Sequence, residues 1–166
     1  MAPGAMADRV NRKAVESWVT GFGLESQPHP HHDAEFEWGL LVSGQAFTTI
    51  VAQRRSDFNY LAIQATVGVS PEHQAVVREL DQDSRATFLF DLHLALHRQA
   101  VGHSIELDGA EAENRPDLPV RVTLGTNLTQ ERIGRADFFK ANHAVQTGAS
   151  IVALMFQRLA HRKRWP

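Results

Sequence analysis

The sequence lacks most of the features that would point to a chemistry. Its 166 residues include no cysteine, which excludes disulfides and thiolate catalysis and leads us to expect a cytoplasmic protein. The formal net charge is only −2, so electrostatics give no reason to expect nucleic acid or an anionic membrane surface as a partner. The longest apolar run, residues 149–156, is far shorter than the roughly twenty residues of a membrane-spanning helix. Residues 1–6 also lack the basic and apolar regions of a signal peptide.

The composition is that of one globular domain. Hydrophobic residues make up 43% of the chain, which is enough to build a core at this length. We expect a single domain over residues 1–166, with a flexible N-terminus at 1–7, the folded part at 8–162 and a short tail at 163–166.

The first half of the chain predicts one helix followed by three strands. The helix begins at Asp8, which can act as its N-cap, and ends at Gly21 and Gly23. Residues 25–33 contain two prolines and three histidines and are predicted to form a loop. Apolar residues then alternate with polar ones, and Trp38 is placed in the core on the face of the first strand opposite Glu37. The short connections between the strands favour an antiparallel meander. The three predicted strands are residues 34–42, 46–53 and 58–67.

The second half predicts a helix, two strands and a very long final helix. Ser70 and Pro71 form a strong helix start, and residues 81–84 form a break before the helical pattern resumes over residues 85–101. Residues 103–109 and 119–124 alternate as strands. Thr129 or Asn127 can cap a last helix over about residues 130–162, which no proline interrupts. The predicted fold class is therefore α+β, with a five-stranded antiparallel sheet.

This order, α-β-β-β-α-β-β-α with a long C-terminal helix, resembles the type III secretion chaperone-like fold over nearly the whole chain. The same fold occurs in the bacterial YbjN family of sensory-transduction regulators and in small uncharacterised families that have no secretion apparatus. The chain resembles these families more than it does a dedicated effector chaperone. The resemblance lies in the order and length of the elements, so it assigns no functional residue. It implies a homodimer that binds polypeptide without a cofactor or catalysis.

The nine histidines suggest one alternative, a metal site. His93 and His97 are spaced i, i+4 on a predicted helix and could present two imidazoles to one ion, but no third ligand is identifiable. A zinc protease would also need glutamate directly after the first histidine, where Leu94 stands. The other histidine group, residues 29, 31 and 32, lies in the predicted loop and could chelate a metal adventitiously.

The remaining candidates favour structural roles. Glu35 and Glu37 lie on the predicted solvent face of a strand, and no serine sits in a nucleophile-elbow motif. The basic residues of 158–164 stabilise the negative end of a helix dipole. We therefore predict no catalytic residue and no cofactor.

The function favoured by the sequence is that of a non-catalytic, dimeric binding protein that recognises a polypeptide partner. The residues that bind the partner are not identifiable from the sequence. The alternative is a small-molecule or metal-dependent enzyme that uses the histidines. The alternating polar residues Thr48, Gln53, Asn59 and Gln64 predict an exposed polar surface without a large apolar groove.

Overall fold

The computed structural model describes residues 10–29, 35–44, 46–55, 60–108, 118–129 and 133–164, and for residue 108 and residues 162–164 it describes the backbone. The chain forms four helices and six strands within these ranges. The helices are α1 (Arg12–Gly21), α2 (Pro71–Arg78), α3 (Gln82–His97) and α4 (Arg135–Arg164). The strands are β1 (Glu25–Pro28), β2 (Phe36–Ser43), β3 (Thr48–Arg54), β4 (Tyr60–Gly68), β5 (Gly102–Asp108) and β6 (Leu118–Thr129).

The strands lie in one sheet in the order β1-β2-β3-β4-β6-β5. Neighbouring strands pair in antiparallel fashion from β1 to β4 and again between β5 and β6. The predicted α+β class, the antiparallel sheet and the long C-terminal helix are therefore confirmed. The predicted count of five strands is wrong, because the sheet has six.

The additional strand is β1, in the segment that was predicted to be a loop. Glu25 pairs with Ser43 and Pro28 with Leu40. Proline cannot donate a backbone hydrogen bond and is tolerated in β1 because this is an edge strand. The ladder continues one residue further, where the His29 N–H donates to the Gly39 carbonyl oxygen at 3.0 Å.

Side-chain caps set the starts of the first three helices. Asn11 caps α1 by accepting from the Ala14 N–H at 2.9 Å, whereas the predicted cap, Asp8, lies outside the described residues. Ser70 caps α2 as predicted, with Pro71 following. Asp81 caps α3, so the predicted break at residues 81–84 is the beginning of a helix and its resumption starts at Gln82.

The last helix begins later than predicted. The strand predicted over residues 119–124 continues to Thr129 as β6, and α4 starts at Arg135. Thr129, which was one of the two predicted caps, is the last residue of that strand. The sequence pattern placed the boundary about five residues early because β-branched and polar residues fit both a strand end and a helix cap.

The described residues fall into two compact units, and β4, β6 and α4 each contribute to both. One unit comprises the chain up to Gln64 together with Thr126–His143, and the other comprises Ala65–Gly125 and the chain from Ala144 onward. The fully buried core of the first unit includes Val15, Val19, Leu40, Val42, Val51, Leu61, Ile63 and Phe138. That of the second includes Val77, Leu92, Leu96, Val122, Leu124, Val145, Ala149 and Val152.

Arg85 ties α2 to α3 in the second unit. Its guanidinium donates to the Leu80 carbonyl oxygen at 2.9 Å and to the Val77 carbonyl oxygen at 3.4 Å. Val77 lies in the last turn of α2 and Leu80 just beyond its C-cap, so Arg85 of α3 supplies side-chain donors at the end of α2. Within the described ranges, no helix is both long enough and apolar enough to cross a lipid bilayer.

Candidate functional site

The two faces of strands β2, β3 and β4 differ sharply in the first unit. On one face Thr49 is fully buried, and its hydroxyl donates to Oδ1 of Asn142 in α4 at 2.6 Å. Because strand side chains alternate, Ile50 and Ala52 point to the opposite face. The candidate site lies mainly on this opposite face.

A row of very small residues crosses the three strands on that face. Gly39 pairs with Ala52 across β2 and β3, and Ala52 pairs with Ala62 across β3 and β4. The next row along is larger and contains Leu41, Ile50 and Gln64, which pair in the same way. A glycine and two alanines in register therefore form the floor of a groove that runs across the strands, and both alanines are buried there.

The missing side chain of Gly39 is needed where the groove meets β1. A Cβ atom built on Gly39 would lie 3.1 Å from the Cβ of His29, which is tighter than an ordinary van der Waals contact. His29 can thus approach the backbone of β2 closely and close one end of the groove. Glycine is required here for close approach, since its backbone has no unusual conformation.

The groove is part of a cleft of about 380 Å³. This volume lies within the range of protein pockets that bind small ligands. The lining is mostly apolar, with a few polar and charged groups at its border. The lining residues are Arg12, Pro28, His29, Phe36, Glu37, Trp38, Gly39, Ile50, Ala52, Ala62 and Gln64.

Arg12 of α1 lines the cleft together with an irregular part of β2. The register between β2 and β3 shifts between Phe36 and Trp38, as at a β-bulge, which re-aims the side chains around it. A second hollow of about 570 Å³ shares Arg12, Glu37 and Trp38 with the cleft. Arg12 also forms an ion pair with Glu16 of the same helix at 2.8 Å.

Gln53 does not have the exposed position that the alternating pattern predicted. It is 5% exposed, and its Oε1 accepts a hydrogen bond from the Trp38 indole at 2.7 Å. Trp38 itself is half-buried, so the predicted core side chain lies at the border of the cleft. The expectation of an exposed polar residue is therefore wrong at Gln53, and Asn59 lies outside the described residues. The groove lies on the other face of the sheet, where the cleft lining is mostly apolar.

The second unit brings together histidines from two elements. Nδ1 of His93 in α3 lies 2.7 Å from Nε2 of His103 in β5, so one of the two nitrogens must carry the shared proton. Burial lowers the pKa of His103, and the neighbouring His93 and His97 lower it further, against a hydrogen bond with the backbone at Val101 that raises it. His103, which was not singled out from the sequence, is thus the hydrogen-bonding partner of His93.

Among the described residues, no three or more His, Asp or Glu side chains are arranged as metal ligands. His29 lines the cleft, while His31 and His32 lie outside the described residues. Glu37 also lines the cleft, and Glu35 lies just before β2, where its carbonyl oxygen accepts from the Arg55 N–H at 2.7 Å.

The sequence could not reveal the residues that build the groove. Gly39, Ala52 and Ala62 are ordinary small residues in three separate strands, and only the strand register aligns them. Predicting the groove would have required the pairing register of β2, β3 and β4, and a single sequence does not contain that information. Arg12 gave no signal either, because its position in the cleft depends on how α1 packs.

Comparison with known proteins places the fold but assigns no activity. No curated protein matches the chain. The crystal structure of an uncharacterized protein from Methanothermobacter thermautotrophicus is similar, with 18% sequence identity and a TM-score of 0.75 over 90% of this chain and 98% of that one. At this identity the similarity shows a shared fold. The model of the uncharacterised conserved protein family DUF2299 matches residues 11–156, which is most of the chain, and the chain therefore belongs to that family.

Proposed function

We propose that this protein is a non-catalytic binding protein that recognises an extended polypeptide segment in the groove formed by Gly39, Ala52 and Ala62. The observation that supports the proposal is the alignment of these three small residues across β2, β3 and β4. Larger side chains border the groove on the side of Ile50, and His29 closes the end at β1.

The dimensions of the groove favour short apolar segments. Three neighbouring strands span about 10 Å between their outer backbones, and alternate residues of an extended chain are roughly 7 Å apart. Two side chains at positions i and i+2 fit along such a groove, whereas a third at i+4 lies beyond it. The expected recognition element is therefore a pair of apolar side chains with one residue between them.

The resemblance to type III secretion chaperone-like proteins and YbjN-like regulators is part of this proposal. It is supported by the antiparallel sheet and by the long final helix, while β1 and the division of the middle helix into α2 and α3 depart from the element order on which it was based. The absence of cysteine supports a cytoplasmic location for such a module. A small apolar contact area leads us to expect micromolar affinity for a limited set of partners.

A random peptide library displayed on phage provides the test. We expect selection on the purified protein to enrich sequences with two apolar residues at i and i+2. A synthetic peptide from the enriched set, carrying a fluorophore, then gives the dissociation constant by fluorescence anisotropy.

Two matched substitutions on β4 locate the binding surface. Ala62→Leu fills the floor of the groove, and we expect it to weaken peptide binding at least about tenfold, which corresponds to about 1.4 kcal/mol. Thr66→Leu adds a similar side chain on the same face of the same strand, at an exposed position outside the cleft lining. Equal weakening by both substitutions would argue against the groove, and so would a library that yields no enriched sequence.

A small molecule is the second candidate for the same cleft. Its volume of about 380 Å³ and its border of Arg12, His29, Glu37 and Gln64 also suit a compact ligand with an apolar body. Mass spectrometry of the purified protein under native conditions separates the two functions. A bound metabolite that is lost on Ala62→Leu would favour the small-molecule function.

A further inference from the structure

Helix α3 exposes apolar side chains on the side that faces away from the core. Its buried side is formed by Leu92 and Leu96, which are fully buried. On the outer side Phe90 is 66% exposed and Leu94 is 39% exposed. A helix that is apolar on both sides is usually covered on both sides. Among the described residues, none covers Phe90 as the core covers Leu92 and Leu96.

The residues along this outer side follow the seven-residue spacing of a helix-packing surface. Asp83, Phe90 and His97 lie seven residues apart, with Ala86 and Leu94 four residues before and after Phe90. All five residues are exposed. At this spacing they share one side of the helix, and we call them the α3 stripe.

The α3 stripe is complementary to a second copy of itself. If two α3 helices cross in antiparallel fashion with the two-fold axis at Phe90, each Ala86 faces the Leu94 of the other copy. A small side chain then meets a large one at two symmetric positions. At the ends of the stripe, each Asp83 carboxylate faces a His97 imidazole, which can donate a hydrogen bond to it and attracts it electrostatically when protonated.

A parallel arrangement lacks this complementarity. It would place Leu94 beside Leu94, Ala86 beside Ala86 and, at one end, two Asp83 carboxylates beside each other. Like charges directly opposite one another destabilise such a pair. The size pattern and the charge pattern therefore select the same antiparallel geometry.

We propose that the protein forms a symmetric homodimer through the α3 stripe, with the two helices antiparallel and Phe90 at the two-fold axis. Isologous contact of this kind is the commonest way for soluble chains to assemble. The exposed aromatic at the centre provides the anchor that dominates such interfaces. The groove on β2, β3 and β4 shares no residue with the α3 stripe, so this inference does not depend on peptide binding there.

The absence of cysteine makes the geometry directly measurable by disulfide cross-linking. A chain that carries both Ala86→Cys and Leu94→Cys can cross-link to a second copy at both symmetric positions. Within one copy these positions are about 12 Å apart along the helix, too far for a disulfide, which requires Cα atoms within about 7 Å. Under mild oxidation we therefore expect the double variant to give a covalent dimer.

The single variants test the direction of the helices. Two copies of Leu94→Cys alone lie about 12 Å apart in the antiparallel pair and should not cross-link, because each lies four residues from the axis. In a parallel pair they would meet and cross-link readily. A covalent dimer of the single variant in the same yield as that of the double variant would overturn the antiparallel arrangement.

Phe90→Glu tests the interface without any cross-link. The wild-type protein should be dimeric in light scattering at tens of micromolar, and Phe90→Glu should raise the dimer dissociation constant at least about thirtyfold, as expected for a central anchor residue. Leu154→Glu is the matched control, since Leu154 is 50% exposed on α4 and lies outside the stripe. A monomeric wild-type protein would refute the proposal, and so would a dimer that is equally weakened by both substitutions. Far-UV circular dichroism of the variants verifies that each remains folded.

Discussion

The buried hydrogen bond between Thr49 and Asn142 should be a large local contribution to stability in the first unit. The two residues are 0% and 2% exposed, and the oxygen atoms of the bond are 2.6 Å apart. Thr49→Val keeps the shape of the side chain and removes the hydroxyl. Asn142 then loses this donor inside the core, which costs about 1 to 3 kcal/mol because its carbonyl oxygen was removed from water when the chain folded.

A double-mutant cycle separates the bond from the effect of each substitution alone. Asn142→Leu removes the amide with little change in size and leaves the Thr49 hydroxyl without its acceptor. The double variant has neither the hydroxyl nor the amide, so no buried polar group of this pair lacks its partner. We therefore expect the double variant to be more stable than the sum of the single effects implies, with a coupling energy of about 1 kcal/mol or more.

Urea unfolding followed by tryptophan fluorescence provides the measurement. Trp18 lies in the same unit, where its ring packs 5.9 Å from that of Phe138. Thr48→Val is the control, because Thr48 is exposed and the same substitution there should change stability by no more than about 0.5 kcal/mol. Equal shifts for Thr48→Val and Thr49→Val, or a coupling energy near zero, would refute the reasoning.

Three further predictions test the sheet and the histidine pair. Leu40→Ala should lower the free energy of unfolding by about 2 to 5 kcal/mol, because Leu40 is fully buried, whereas exposed Glu37→Ala should change it by less than about 0.5 kcal/mol in the same urea titration. Gly39→Ala should lower the melting temperature, because the added Cβ would lie only 3.1 Å from the Cβ of His29. Gly68→Ala, with open space around it, should not lower it. The imidazole of His103 should titrate by NMR below the ordinary histidine pKa, chiefly because burial disfavours its charged form. Since that pKa is lowered by folding, the corresponding stability is present near neutral pH and is lost as the pH falls through the lowered value, and a midpoint at or above the ordinary value would contradict this.

The parts of the fold that follow from local patterns were predictable from the sequence. Ser70 followed by Pro71 specifies a helix start through one side-chain acceptor and one preset backbone angle, and α2 begins there. Alternation of apolar residues located the interior of β2, where Leu40 and Val42 are fully buried. These signals involve residues that are close together in the chain, so no knowledge of tertiary packing is needed to interpret them.

The errors occurred where tertiary contacts override local preference. Pro28 suggested a loop, but the edge of a sheet accommodates a residue without an N–H. Gln53 was assigned to solvent from its polarity, yet the Trp38 indole satisfies it in a buried position. The binding partner of Thr49 is 93 residues away in the sequence, so no local pattern could have indicated that this threonine is buried.

The candidate site is an extreme case of the same limitation. A glycine or an alanine in a strand carries almost no information alone, since each is as easily explained by loose packing as by a groove. The groove exists because β2, β3 and β4 pair in a register that aligns three such residues. A slip of one residue in β3 would turn Val51 to this face and Ala52 to the other, filling the groove with a larger side chain. Ligand recognition on this face would therefore be determined by strand register as much as by the identity of any residue. A substitution outside the groove that shifts the register should abolish ligand recognition even though the groove residues themselves are unchanged.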